Sequence, residues 1–121
     1  MKTLFTLLII TIAAVAQAQS PVQHRVWIDA QEHDHMLTIK GKFANDGAQD
    51  ARFRYELVTI KQGKSGRSSS TQAGSFQAPA GEEVSLSNVS VNVSSEDTYV
   101  IELKIFQGDT VYLHDELEYQ G

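Results

Sequence analysis

The chain contains no cysteine. Disulfides, thiolate catalysis, dithiol redox chemistry and thiolate metal sites are therefore excluded. Beyond the N-terminal segment there is no second long apolar run, so nothing there reads as a membrane span, which needs about 20 apolar residues. No G-x-S-x-G elbow and no Gly-rich phosphate loop occurs. The net charge is −5 at pH 7, which argues against nucleic acid as a partner. The many serines include none marked as a nucleophile. The carboxylate pairs Glu82-Glu83, Glu96-Asp97 and Asp115-Glu116 fall at strand starts or on an exposed strand, where solvation accounts for them. His33-Asp34-His35 has a spacing that could offer two ligands on one strand face, but no third ligand is fixed beside it, and loop polarity is the simpler reading. The sequence thus reads as a non-enzyme without cofactor or metal.

What is present begins with a leader. Met1 and Lys2 form a positive head, Leu4 to Val15 carry no charge, and Ala16-Gln17-Ala18 offers a small-x-small cleavage site. This is the secretory pattern, and it predicts cleavage after Ala18. The exported remainder, 19–121, is long enough for one domain only, and a monomer is expected. Its charges are segregated. Seven cations, Lys40, Lys42, Arg52, Arg54, Lys61, Lys64 and Arg67, lie between residues 40 and 67, whereas residues 68–121 hold nine carboxylates and a single cation, Lys104.

Alternation with period two recurs along the exported part, and no helix is convincing. Seven strands are predicted, at about 22–29, 36–43, 51–60, 69–76, 83–93, 98–106 and 111–119, an all-β, seven-stranded immunoglobulin-like β-sandwich. Asn45-Asp46-Gly47 is a turn signal, and pairing the second and third strands across it sets Leu37 opposite Leu57 and Ile39 opposite Tyr55. On the other face the same register makes Lys40, Lys42, Arg52 and Arg54 a compact cationic square. Such a square either keeps an exposed strand from aggregating or steers a negatively charged partner. Lys61 to Thr71 reads as a basic Gly-Ser loop, with Pro79-Ala80-Gly81 as the next turn. A change of phase at Ser87-Asn88 predicts a bulge or a strand that switches sheets. Val111, Leu113, Leu117 and Tyr119 share one face with Asp115, an inward acidic residue of the kind that protects sheet edges.

The segment from Lys64 to Val93, KSGRSSSTQAGSFQAPAGEEVSLSNVSVNV, resembles the curli-system CsgC/CsgH family, and CsgH most closely. Lys64, Ser65, Gly66, Ser70, Gln72, Gly74, Phe76, Pro79, Ala80 and Gly81 carry the similarity, with Tyr99 and Leu103 in a later Tyr-x-x-x-L pattern. The resemblance implies a seven-stranded immunoglobulin-like fold, a periplasmic location and inhibition of premature amyloid formation by curli subunits. For this chain the expected action is by transient electrostatic and strand-edge contacts at substoichiometric ratio. It brings no catalytic residues. The Cys-x-Cys pair of the enteric branch is absent here, so no redox role follows. A charged working surface is implied, for which the Lys40, Lys42, Arg52, Arg54 square is the candidate, extended by Lys61, Lys64 and Arg67. The alternative is a non-catalytic envelope module for adhesion or for binding protein or glycan. An exposed cluster among Trp27, Tyr55, Tyr112 and Tyr119 would favour glycan.

Overall fold

A computed structural model describes residues 23–64 and 66–121. The predicted leader and its cleavage site lie outside the described residues. Seven strands follow one another: β1 (His24–His33), β2 (Met36–Asn45), β3 (Ala51–Gly63), β4 (Gly66–Ala78), β5 (Glu83–Asn92), β6 (Thr98–Gln107) and β7 (Thr110–Gln120). They form a three-stranded sheet in the order β1-β2-β5 and a four-stranded sheet in the order β4-β3-β6-β7, every pairing antiparallel. The fold is the predicted all-β sandwich, with all seven strands in the predicted order and no helix among the described residues.

Alternation decides which residues enter the core. Leu37, Ile39 and Phe43 of β2, Leu57 of β3, and Tyr99, Ile101, Leu103 and Ile105 of β6 are at most 1% exposed. Removing such side chains from water is the main favourable contribution to folding, at roughly 1.5–3 kcal/mol each. β2 and β6 each lie between two partners in their own sheets, which is why their inner faces are fully covered.

Two sequence expectations are corrected. β2 and β3 do not pair; they lie in different sheets, β2 between β1 and β5, β3 between β4 and β6. The segment after Asn45 is a corner that carries the chain across the sandwich. Asn45, fully buried, holds that corner with its side chain. Its Nδ2 donates to the carbonyls of Gln49 (2.8 Å) and Ala78 (2.9 Å), and its Oδ1 accepts from the Gly47 amide (3.0 Å). The segment Lys61 to Thr71 is likewise not a loop. It belongs to a long hairpin in which β3 and β4 pair from Ala51↔Ala78 to Gly63↔Gly66.

The turn at Pro79-Ala80-Gly81 and a bulge in β5 are as expected, the bulge falling at Leu86 rather than at Ser87-Asn88. Asp34 and His35 have φ of 51° and 60°, as the tight two-residue turn between β1 and β2 requires. Glu82 donates its amide to the Pro79 carbonyl, with Gly81 at φ 76°, the backbone region that glycine tolerates. β5 bulges where Gly41 faces Ser87 but Lys42 faces Ser85, leaving Leu86 as the extra residue. β7 also bulges: Ile105 faces Leu113 and Phe106 faces Val111, so Tyr112 is extra. This bulge turns Val111 out to 44% exposure, against the expectation that it shares the inner face.

The sandwich is closed along β1 and β7. Asp115 accepts a hydrogen bond from the Ile28 amide (3.0 Å), and the Tyr119 hydroxyl donates to Glu32 (2.5 Å). The Glu32 carboxylate holds the Tyr119 phenol above its ordinary pKa. Tyr112 stacks on Phe53 and hydrogen-bonds His24. Asp115 thus satisfies an edge amide that would otherwise invite another strand.

At the end of β3, Gly63 lies against Asp97, whose carboxylate is 3.5 Å from Lys61 Nζ. A Cβ at Gly63 would occupy the place of that carboxylate. Gly63→Ala is therefore expected to displace Asp97, break its ion pair and cost about 1–2 kcal/mol. A thermal melt beside Gly66→Ala checks this, because at Gly66 the cost is backbone strain at φ 114° with no neighbour within 4 Å.

Candidate functional site

The seven cations singled out in the sequence do not form one patch. Lys40 and Lys42 project from the outer face of the three-stranded sheet, opposite Asp29 and Trp27 of β1. Arg52 and Arg54 project from the outer face of the four-stranded sheet, opposite Gln77 and Ser75 of β4. The predicted square is thereby split between the two outer surfaces of the sandwich. The reason is the corner at Asn45, which sends β2 and β3 to opposite sheets while preserving the alternation of each. Lys61 points toward the open end of the core, beside Asp97 and 5.7 Å from the centre of the Tyr99 ring. Lys64, in the hairpin turn, is 3.0 Å from Glu96. Arg67 stands on the outer face of β4, opposite Gln62.

The two outer faces differ in how much of their charge is available. Lys42 keeps only 20% of its side chain exposed, donates to Ser85 Oγ at 2.8 Å and lies 4.0 Å from Glu83. Arg52, Arg54 and Arg67 are exposed, and among the described residues none has a carboxylate within 4.0 Å. The guanidinium of Arg54 lies 4.4 Å from the centre of the Phe106 ring, a cation–π contact that leaves its charge unneutralised. Lys104, which the sequence reading left out, joins this face, opposite Glu56 of β3 and His114 of β7. Only the strand pairing reveals it, since in the sequence it stands alone among acidic residues. At the β7 side the same face turns acidic, where Glu102 faces Glu116 and Val100 faces Glu118. The four-stranded face therefore runs from basic at β3 and β4 to acidic at β7.

The aromatic residues do not form an exposed cluster. Trp27 stands on the outer face of β1, with the Arg25 guanidinium 5.4 Å from its ring. Arg25 in turn pairs with Asp46 at 2.6 Å and holds its carboxyl below the usual range. Tyr55 packs in the core beside Phe76, and Tyr112 and Tyr119 are engaged at the β1–β7 seam. His33 ends β1 and His35 lies in the turn before β2, and among the described residues no group of three metal-ligating side chains comes together.

The remaining polar device is Tyr99, at the start of β6. Its ring is fully buried, its hydroxyl donates to the Asn92 carbonyl (2.8 Å) and accepts from the Ser94 amide (3.0 Å). This is the tyrosine corner of immunoglobulin-like sandwiches.

Comparison with known proteins bears on this fold. The family described as the CsgH protein matches residues 25–117. The solution structure of R. palustris CsgH superposes with a TM-score of 0.62 at 26% identity, over 78% of this chain and 91% of that one. A structure of the E. coli curli protein CsgC gives a TM-score of 0.63 at 22% identity, over 79% and 97%, a likeness of fold. The curli assembly protein CsgC of Salmonella arizonae is 33% identical over 58 residues, 48% of this chain and 54% of that protein. The chain spans about half the length of the curated relatives it matches. A match running from Arg25 in β1 to Leu117 in β7, on a sandwich shared with solved CsgH and CsgC structures, makes this chain a member of the CsgH family.

Proposed function

We propose that this chain serves curli assembly in the periplasm, as a chaperone-like inhibitor of amyloid formation by curli subunits that acts transiently and at substoichiometric ratio. The observation that carries the reading is the CsgH family match across both sheets. A soluble sandwich suits the task physically. Amyloid subunits add edge to edge, and a folded β domain that meets early β-rich species for a short time slows nucleation without being consumed. Cations on an outer face would steer acidic clients toward it, with a screening length of about 8 Å at physiological ionic strength.

The test is fibril growth of a curli major subunit, followed by dye fluorescence, with the purified exported chain far below equimolar ratio. The lag is expected to lengthen several-fold. An unchanged lag across several curli subunits, with the chain verified as folded, would overturn the reading in favour of an envelope adhesion module. The two faces can be separated in the same assay. Reversing Arg52 and Arg54 to Glu is expected to shorten the lag and weaken its salt dependence. Reversing Lys40 and Lys42 should change it little, because Lys42 already has partners. Equal effects of the two pairs would rule out a single working face.

A further inference from the structure

Of the sheet edges, that of β4 is the least defended. The β1 and β7 edges meet at the seam closed by Asp115 and Tyr119, and β5 carries the Leu86 bulge. β4 runs in unbroken register with β3, and no described strand pairs with its other side. From Ser68 to Ala78 it contains no charge and no proline, two of the devices that normally keep such an edge from accepting another strand. Gly66 to Ala73 are exposed on both faces.

We infer that the outer edge of β4 is a strand-addition site for an extended partner segment of uncharged polar residues flanked by carboxylates. Main-chain hydrogen bonds would supply most of the affinity. The side chains define the occupant. Ser68, Ser70 and Gln72 on one face and Ser69 and Thr71 on the other are small or polar, so they offer ladders to hydroxyl and amide side chains and no pocket for large apolar ones. The charges define its ends. Arg67 stands at the start of β4, while Arg52 and Arg54 stand beside its last residues, where Arg52 lines a shallow cleft with Ser75, Phe76 and Gln77. The single carboxylate on the outer rows of β3 and β4, Glu56, is opposite Lys104. A second copy paired through the same edge would bring both sets of these arginines to one seam without counter-charges, which the charge pattern disfavours.

The inference rests on the amyloid-inhibitor reading only for which protein supplies the segment. Its test uses a synthetic peptide of about nine residues, alternating Ser, Gln and Thr with Asp at each end, titrated into the isotope-labelled exported chain. Backbone amide shifts and hydrogen exchange of β4 are the readout. Protection confined to β4, and weakening of roughly tenfold when Lys replaces Asp in the peptide, are expected. Ser69→Pro and Ser70→Pro are made as a pair, because successive amides of a strand point to opposite edges. The variant that keeps the wild-type melting temperature has lost only a free-edge donor and should lose peptide binding and part of the lag extension. Unchanged binding by that variant, perturbation centred on β1, β2 and β5, or a dimer formed through β4 without peptide would each overturn the inference. If the wild-type chain delays fibrils but the peptide leaves β4 untouched, the edge site fails while the functional reading stands. If the peptide protects β4 but no curli subunit is delayed, the functional reading fails and the edge site stands.

Discussion

Asn45→Ala is expected to lower the stability of this domain by about 3 kcal/mol, and its melting temperature by roughly 15 °C. The side chain is fully buried and makes three hydrogen bonds to backbone groups across the corner between β2 and β3. Truncation leaves the carbonyl of buried Ala78 without its partner, and an unpaired buried polar group costs about 1–3 kcal/mol. The vacated volume adds to the loss. Asn45→Asp separates the contributions. It preserves the shape and the acceptor for the Gly47 amide, but an ionised carboxylate cannot donate to Ala78. Burial would raise the pKa of that carboxyl, so relative to the wild type this variant should be most stable at acidic pH and lose stability as the pH rises from the ordinary carboxylate value to the raised one. Equilibrium denaturation at several pH values checks both. A change for Asn45→Ala within about 0.5 kcal/mol, the range of an ordinary surface substitution, would mean that the corner is held by something other than this side chain.

Tyr99→Phe is expected to cost about 2 kcal/mol while leaving the strand pairing intact. The change removes one oxygen from a fully buried ring. That oxygen ties the start of β6 to the Asn92 carbonyl and the Ser94 amide, and so fixes the crossing from β5 to the four-stranded sheet. Hydrogen exchange should quicken most at Asn92 to Ser94, and much less in the corner held by Asn45 at the other end. A uniform increase across the sandwich would argue against a local role for the hydroxyl. Tyr99→Ala also removes the ring and should cost about 3–5 kcal/mol, by analogy with other large aromatic truncations.

These two residues show where the sequence was readable and where it was not. Strand positions were legible because one face of each strand is buried, and burial imposes alternation. The bulge in β5 announced itself as a break in that alternation, and Asp115 as an acid among apolar neighbours. Partnership was another matter. Any two alternating strands separated by a turn signal satisfy a hairpin register, so Leu37 and Leu57 could be set opposite each other on paper. In the molecule Leu37 faces Val91 and Glu32, and Leu57 faces Leu103 and Gln72. What decides between hairpin and corner is the reach of the Asn45 side chain to Ala78, thirty-three residues away in sequence, and short-range pattern carries no trace of it. The cationic square failed for this reason, and Lys104 was missed for the same one. The first half of β4 was hidden differently. A stretch exposed on both faces has no apolar row, so SSSTQ at the start of β4 looks like a linker although it pairs residue by residue with β3.

The placement of Asn45 and Tyr99 has a mechanical consequence. In antibody domains one covalent link pins the two sheets near their centre. Here the sheets rest on an apolar middle and are latched at the two poles, by an amide at one and a phenol at the other. Neither latch survives unfolding, so the denatured chain carries no crosslink and has no wrong pairing to undo. Refolding needs no oxidant and no isomerase for disulfides. The domain should therefore recover its shape at the same rate in reducing and oxidising surroundings.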